Sequence, residues 1–208
     1  MPVFVRDDKS VLFVHVPKTG GTSIENLFRS SGYRMSYCDR RSGTKGPWFN
    51  GYRRASPQHM HREALEAELR LDRFTAIFMV VRDPVARFRS EYVMRNYRDL
   101  RTDAASVDRW AAGALEGYLE NPYLHDNHLR PQSEFYVPGS EVFRYEDGLD
   151  RAIERLDSVY DLGVGSTVPR AQRPEEAAGV STADVEVSDR LRRGLREFYR
   201  SDYEQFGY

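Results

Sequence analysis

Val11-Leu-Phe-Val-His-Val-Pro-Lys-Thr-Gly-Gly-Thr-Ser-Ile-Glu-Asn-Leu-Phe28 opens on a β-branched and aromatic run, stops at Pro17, turns through two glycines and resumes with apolar residues at Ile24, Leu27 and Phe28. The run 11–16 reads as a short buried strand, and the i, i+3, i+4 spacing behind Thr22 and Ser23 predicts a helix with a Thr/Ser cap. Such a strand, tight loop and helix can receive an anion. Glycines let backbone N–H groups approach closely, the helix start adds partial positive charge, and Lys18, Thr19, Thr22 and Ser23 add side-chain donors. A lone Gly-Gly would be a capped turn. The full string from Pro17 through Gly20 and Gly21 to Ser23 favours a phosphate or sulfate site.

Working outward, residues 38–57 are polar and aperiodic and read as a long loop, a lid or substrate wall carrying Trp48 and Phe49. Ala64, Leu65 and Leu69 predict a helix over 61–70, and the apolar run 74–81 suits a central parallel strand. Asp83-Pro84 then opens a helix from Val85 to about Arg98 with Val85, Phe88, Tyr92 and Met94 inward, since Asp is a good N-cap and Pro favours the first helical position. Further along, Ser106 is expected to cap a helix through Leu119 that Asn121-Pro122 ends. A strand at 140–145, a helix at 149–159, a surface loop at 163–183 and an amphipathic helix at 187–199 complete the chain. Strands alternating with helices predict one α/β domain over 1–208, a central parallel sheet flanked by helices.

Two hundred and eight residues suffice for one domain with a substantial core. With 40% apolar and 30% charged residues the composition is globular, which excludes bulk disorder. A net charge of −1 argues against a nucleic-acid partner held by general basicity. The charge is uneven: residues 29–101 hold 16 basic against 8 acidic side chains and residues 102–208 hold 12 against 21, so the anion belongs with the first half. Lys9, Lys18 and Lys45 are the only lysines beside 28 arginines, which makes Lys18 a departure from the chain's habit. The single cysteine, Cys38, forms no intramolecular disulfide and fits a reducing compartment. The longest apolar run, around 76–81, falls far short of the roughly 20 residues of a membrane span, and the N-terminus lacks the pattern of a signal peptide. The expected location is the cytoplasm.

The second strand-to-helix junction places Arg82 at the carboxyl end of a strand, where open α/β sheets bind ligands, ahead of a helix carrying Arg87 and Ser90. Arg82 and Ser90 could clamp a second phosphate, or Arg82 could pair with Asp83 or Glu91. The first loop is not a Walker A sequence, because Lys18 precedes Gly20 instead of following the second glycine. The strand ending at Val81 also runs into Arg82 where a Walker-B Asp would stand, so the equipment for a magnesium nucleoside triphosphate is incomplete.

Together the two junctions resemble the sulfotransferases that use 3′-phosphoadenosine 5′-phosphosulfate, in particular the branch acting on heparan, chondroitin and related glycans. Pro17-Lys-Thr-Gly-Gly-Thr-Ser23 is similar to that family's 5′-phosphosulfate loop, and Arg82-Asp-Pro-Val-Ala-Arg-Phe-Arg-Ser90 to its 3′-phosphate run. Pro57-Gln-His59 resembles the segment that carries the family's base. His128-Leu-Arg-Pro-Gln132, Val142-Phe-Arg-Tyr-Glu146 and the stretch 198–208 look like further landmarks, so the likeness covers most of the chain. A departure lies at Val168–Arg173, where Arg170 and Arg173 stand in place of an Asn-x-Ser-type segment. The resemblance implies a P-loop-like fold of a soluble, bacterial-style member without the membrane anchor of Golgi relatives.

It further implies an enzyme that moves SO₃ from the phosphosulfate to a hydroxyl or amine and releases 3′-phosphoadenosine 5′-phosphate. Lys18 would stabilise the leaving phosphate, His59 would take the acceptor's proton, and no metal would be required. His61 is the rival base; two residues apart on a helix start, the two histidines would face different ways. His15 reads as a core residue with a satisfied hydrogen bond, and His125 and His128 as surface or substrate-wall groups. The acceptor, a saccharide or small metabolite, would meet His61, His128 and Trp48. Two other readings stand beside this one: a nucleotide-dependent phosphotransferase, and a catalytically silent anion-binding protein.

Overall fold

The computed structural model describes residues 1–39, 53–171, 179 and 181–208. Most of the expected loop 38–57, with Trp48 and Phe49, lies outside the described residues, as does Arg173. The chain divides into two compact units, Met1–Val81 with Glu134–Ala171 and Arg82–Ser133 with Gln172–Tyr208.

The first unit is a five-stranded sheet with helices. The strands are β1 (Val3–Arg6), β2 (Lys9–Val14), β3 (Arg34–Ser36), β4 (Ala76–Val81) and β5 (Glu141–Arg144), in the order β3-β1-β2-β4-β5. β2, β4 and β5 are parallel, in register Val11 to Ala76 and Val81 to Arg144. The expectation of a parallel sheet is corrected at the other end, where β1 pairs antiparallel with both β2 and β3, so the sheet is mixed. The cause is local. Arg6 pairs with Lys9 across a turn of only Asp7 and Asp8, and a two-residue connection joins strands only antiparallel. Asp7 takes φ 52°, a left-handed conformation that Asp tolerates better than most residues.

Helices α1 (Gly21–Ser30), α2 (Arg62–Glu68) and α5 (Leu149–Tyr160) complete this unit. Ile24, Leu27 and Phe28 of α1 and Ile153 and Leu156 of α5 join Val11, Phe13, Phe78 and Val80 of the central strands in one buried cluster. Phe28 stacks on Phe4 at 4.3 Å between ring centroids, and Phe13 on Phe78 at 4.9 Å. Each such side chain, fully buried, contributes about 1.5–3 kcal/mol. β2 and β4 are adjacent and parallel, so their carboxyl ends share one edge of the sheet.

The second unit holds α3 (Pro84–Asn96), α4 (Ala104–Glu120), α6 (Asp189–Phe198) and α7 (Arg200–Phe206) around a core of Val85, Phe88, Tyr92, Val107, Leu191 and Leu195. Asp83 caps α3 as expected, accepting from Ala86 N at 2.7 Å. The cap of α4 is Asp103, not Ser106: its carboxylate accepts from Ser106 N at 3.0 Å, and the helix begins two residues before Ser106. The helix expected over 187–199 is α6, and a further helix that the sequence reading did not expect, α7, follows after Tyr199 (φ −99°, ψ 25°). Among the described residues no helix is long and apolar enough to cross a membrane.

Candidate functional site

In the first unit the chain leaves β2 through Pro17, reverses at Lys18 (φ 70°) and again at Gly20 (φ 87°), and enters α1 at Gly21. Left-handed residues interleaved with others turn successive N–H groups toward one concavity, the geometry of an anion nest. The expected Thr/Ser cap is corrected: Gly20 is the N-cap and has no side chain to offer the first-turn amides, while Thr22 and Ser23 lie inside the first turn. Thr22 is exposed. Ser23 Oγ accepts from Ala171 N at 3.1 Å, which brings the end of the 163–171 segment to the start of α1. Thr19, fully buried, donates its hydroxyl to Val16 O at 2.8 Å and so braces the loop with its side chain.

The two glycines serve different ends. Gly20 needs its left-handed φ, and a Cβ there would stand 2.9 Å from Leu149 Cδ1 and 3.1 Å from Tyr145 Cε2. At Gly21 a Cβ would fall 2.0 Å from His15 Nε2, so this glycine makes room for an imidazole. His15 Nδ1 in turn faces Glu25 Oε1 at 2.9 Å, with both side chains nearly buried. His15 is buried as expected, but its Nδ1 finds no hydrogen-bond partner among the described residues; what faces it at ion-pair distance is Glu25, which sequence reasoning passed over. Its signal was present: Gly21, Ile24, Glu25 and Phe28 form the buried stripe of α1, and one of them is a carboxylate.

His59 ends a 3-10 turn, Pro57–His59, and is 8% exposed. Its Nδ1 lies 3.4 Å from Ser56 Oγ, and its ring meets that of His15 edge-on at 5.0 Å. His61 is instead the N-cap of α2, with Nε2 3.8 Å from Glu63. The two histidines thus sit on different elements.

In the second unit Arg82 and Ser90 are buried, at 8% and 3% exposure. Arg82 is held by its main chain: its N–H donates to Gln132 Oε1 at 2.9 Å and its carbonyl accepts from Gln132 Nε2 at 2.8 Å. Arg87, between them in the motif, is a brace. Only 1% exposed, it donates to the carbonyls of His128 (2.9 Å) and Arg130 (2.8 Å) and lies over the Tyr199 ring. One turn along α3, buried Glu91 receives Arg95 Nε and His128 Nδ1, each at 2.6 Å. Burial alone would push the Glu91 carboxyl up, but the ion pairs and hydrogen bonds from His128 and Arg95 outweigh it and hold the group well below the usual carboxylate range.

The turn these residues brace is unusual. His125, Asp126 and Asn127 take φ 56°, 60° and 63° in succession. Single left-handed non-glycine residues cost of order 1 kcal/mol or more each, so three in a row persist only where surroundings over-determine them. Here Arg95 Nη2 donates to His125 O at 3.1 Å, His125 stacks on Trp110, and Asn127 Oδ1 accepts from Arg130 Nε at 3.1 Å. Burial, aided by Arg95, pulls the His125 imidazole down from its ordinary value.

The expectation of chemistry without a metal is corrected here. His59, Asp126 and His128 are a candidate metal-binding triad, two imidazoles and a carboxylate, donor types that suit zinc and its neighbours. The triad escaped sequence reasoning because His59 lies far along the chain from the close pair Asp126 and His128, so the three show none of the short spacing that marks a zinc motif. An imidazole nitrogen bound to a metal has no lone pair for a proton, so the two uses of one His59 nitrogen exclude each other.

A model of the sulfotransferase family matches residues 1–208, and it is the family as a whole that is matched. No curated protein and no solved structure matches the chain.

Proposed function

The chain belongs to the sulfotransferase family, and from that premise we propose that it transfers a sulfuryl group from 3′-phosphoadenosine 5′-phosphosulfate to a hydroxyl or amine of an acceptor. The observation that carries the reading is the loop between β2 and α1, where Lys18 and Gly20 adopt left-handed conformations ahead of a glycine-capped helix start. In this reading the backbone N–H groups of residues 19–22 receive the 5′-phosphate. Lys18 sets its ammonium beside the bridging oxygen, where negative charge grows as the bond to sulfur breaks. The bond from sulfur to the acceptor's oxygen or nitrogen forms as that bond breaks in line, and the acceptor's proton passes to His59.

Arg82 and Ser90 are assigned to the 3′-phosphate. His61, His128 and Trp48 are assigned to the acceptor, for which a saccharide hydroxyl is the first candidate by the resemblance to the carbohydrate branch. Both units are assigned to one catalytic domain, 1–208. The single cysteine suits a reducing compartment, and the cytoplasm is the proposed location.

The test is calorimetric titration with 3′-phosphoadenosine 5′-phosphate against Mg-ATP and 5′-AMP. The bisphosphate is expected to bind tightest, and Lys18→Ala to lower phosphosulfate turnover by about 10²–10³-fold. His59→Ala is expected to lower turnover by about 10²-fold or more while leaving bisphosphate affinity within about twofold. Preference for Mg-ATP would replace this reading with a phosphotransferase, and bisphosphate binding without transfer to any acceptor would leave a silent binding protein.

A further inference from the structure

We infer that Gln132, held in place by Asp202, is the positioning residue for Arg82, and that this pair sets how strongly the protein discriminates for a 3′-phosphate; the inference rests on the assignment of Arg82 to that phosphate. β4 ends at Val81, the last residue paired with β5. One residue further, the ladder no longer satisfies the main chain. The Gln132 side chain supplies both missing bonds, accepting from Arg82 N–H at 2.9 Å and donating to Arg82 O at 2.8 Å. A primary amide is the side chain that can donate and accept side by side in one plane, so it copies a rung of a sheet. Turning the backbone at Arg82 out of line would break buried hydrogen bonds on both peptide units that flank its Cα, each leaving an unsatisfied group.

Gln132 is itself immobilised. It is fully buried, rare for glutamine, and its own N–H donates to Asp202 Oδ2 at 2.9 Å, while Ser133 N donates to Asp202 Oδ1 at 2.8 Å. Asp202, also fully buried, projects from α7. The segment ahead of Gln132 is pinned as well: Tyr199 donates its hydroxyl to Leu129 O at 2.9 Å, and Arg87 holds the carbonyls of His128 and Arg130. On its other side Arg82 is followed by Asp83, whose carboxylate caps α3. The root of the Arg82 side chain is thereby fixed from both directions, which lowers the conformational cost of presenting its guanidinium to a phosphate. Neither Gln132 nor Asp202 belongs to the apolar cluster of this unit, and together they join α7 to the Arg82 junction.

The experiment is to measure, for the full chain and for Gln132→Met and Asp202→Asn, the affinity for 3′-phosphoadenosine 5′-phosphate and for 5′-AMP, and to compare the ratios. Both variants are expected to reduce the ratio by about tenfold while 5′-AMP affinity stays within about twofold, because only the group that meets the 3′-phosphate loses its fixed root. A general loss of structure would weaken both ligands alike. Folded variants that keep the parental ratio overturn the inference while leaving the Arg82 assignment intact. A parent protein with no preference for the bisphosphate overturns that assignment and this inference with it. Amide hydrogen exchange on the unmodified chain provides a reading free of any folding defect: the Arg82 amide is expected among the slowly exchanging amides of its unit, and exchange as fast as an unbonded amide overturns the lock.

Discussion

Gly21 and His15 show how much of a motif's meaning sits in single side chains. Both glycines of the loop look alike in sequence, as aids to the approach of an anion, yet only Gly20 is held at positive φ. Gly21 has an ordinary helical role, and what demands glycine is the His15 imidazole occupying the volume of its missing Cβ. Gly21→Ala is therefore expected to destabilise the protein by about 1–3 kcal/mol through overpacking, more than helix propensity would return. Adding His15→Ala should recover part of that loss, a sign of coupling between neighbours that a denaturant-melt double-mutant cycle reads directly. Additive effects would mean that the ring does not fill that space. Arg87 carries the same lesson: the sequence groups it with Arg82 and Ser90 as an anion ligand's neighbour, whereas its guanidinium is buried on backbone carbonyls. Arginine's fork suits either task, and burial decides which.

Among the elements, α3 carries the most demanding arrangement. Its Asp83-Pro84 start follows from cap and proline preferences, and its inward Val85, Phe88 and Tyr92 follow from periodicity. Its buried Glu91 does not, because a carboxylate on the inner face is tolerated only when partners from elsewhere meet it, and His128 and Arg95 do so. Since the folded state holds the Glu91 carboxyl below the ordinary carboxylate range, the stabilisation it supplies is complete above that range and is lost as pH falls through it toward the folded value. Glu91→Gln should cost about 3 kcal/mol at pH 7. The gap between parent and variant should narrow on acidification to pH 3, measured by urea unfolding at each pH. A gap that is constant with pH would show that Glu91 contributes by shape instead of charge. The strained turn 125–127 depends on the same helix, since Arg95 donates to the carbonyl of His125 at its start and Arg87 to that of His128 just beyond its end.

For the molecule as a whole, the proposed nucleotide binding is expected to appear as stability. At a bisphosphate concentration about 100-fold above its Kd, linkage adds about 2.7 kcal/mol. For a chain of this size that corresponds to a rise in Tm of roughly 5–10 °C. 5′-AMP at the same concentration should raise it less, and equal shifts would count against a 3′-phosphate site. Much of the architecture was legible from the chain alone. The strand-loop-helix of 11–28, the strand ending at Val81 and the helices that follow are set by local preferences: β-branched runs, i, i+3, i+4 stripes, proline and cap residues act over a few neighbours, and so survive being read one window at a time. The antiparallel β1 and β3 were not legible, being three or four residues long and partly exposed, too short for a periodicity. Nor were Glu25 beneath His15, Gln132 on the Arg82 peptide, Asp202 behind Gln132, or the triad His59, Asp126 and His128. Each joins polar groups remote in sequence, and a polar side chain's partner is decided only when burial removes water as the alternative. Sequence alone therefore determined where the glycine-containing strand-loop-helix and its central strands would form, because those preferences act between near neighbours, and tertiary structure alone decided which buried polar groups would pair, because that choice is made only when water is excluded.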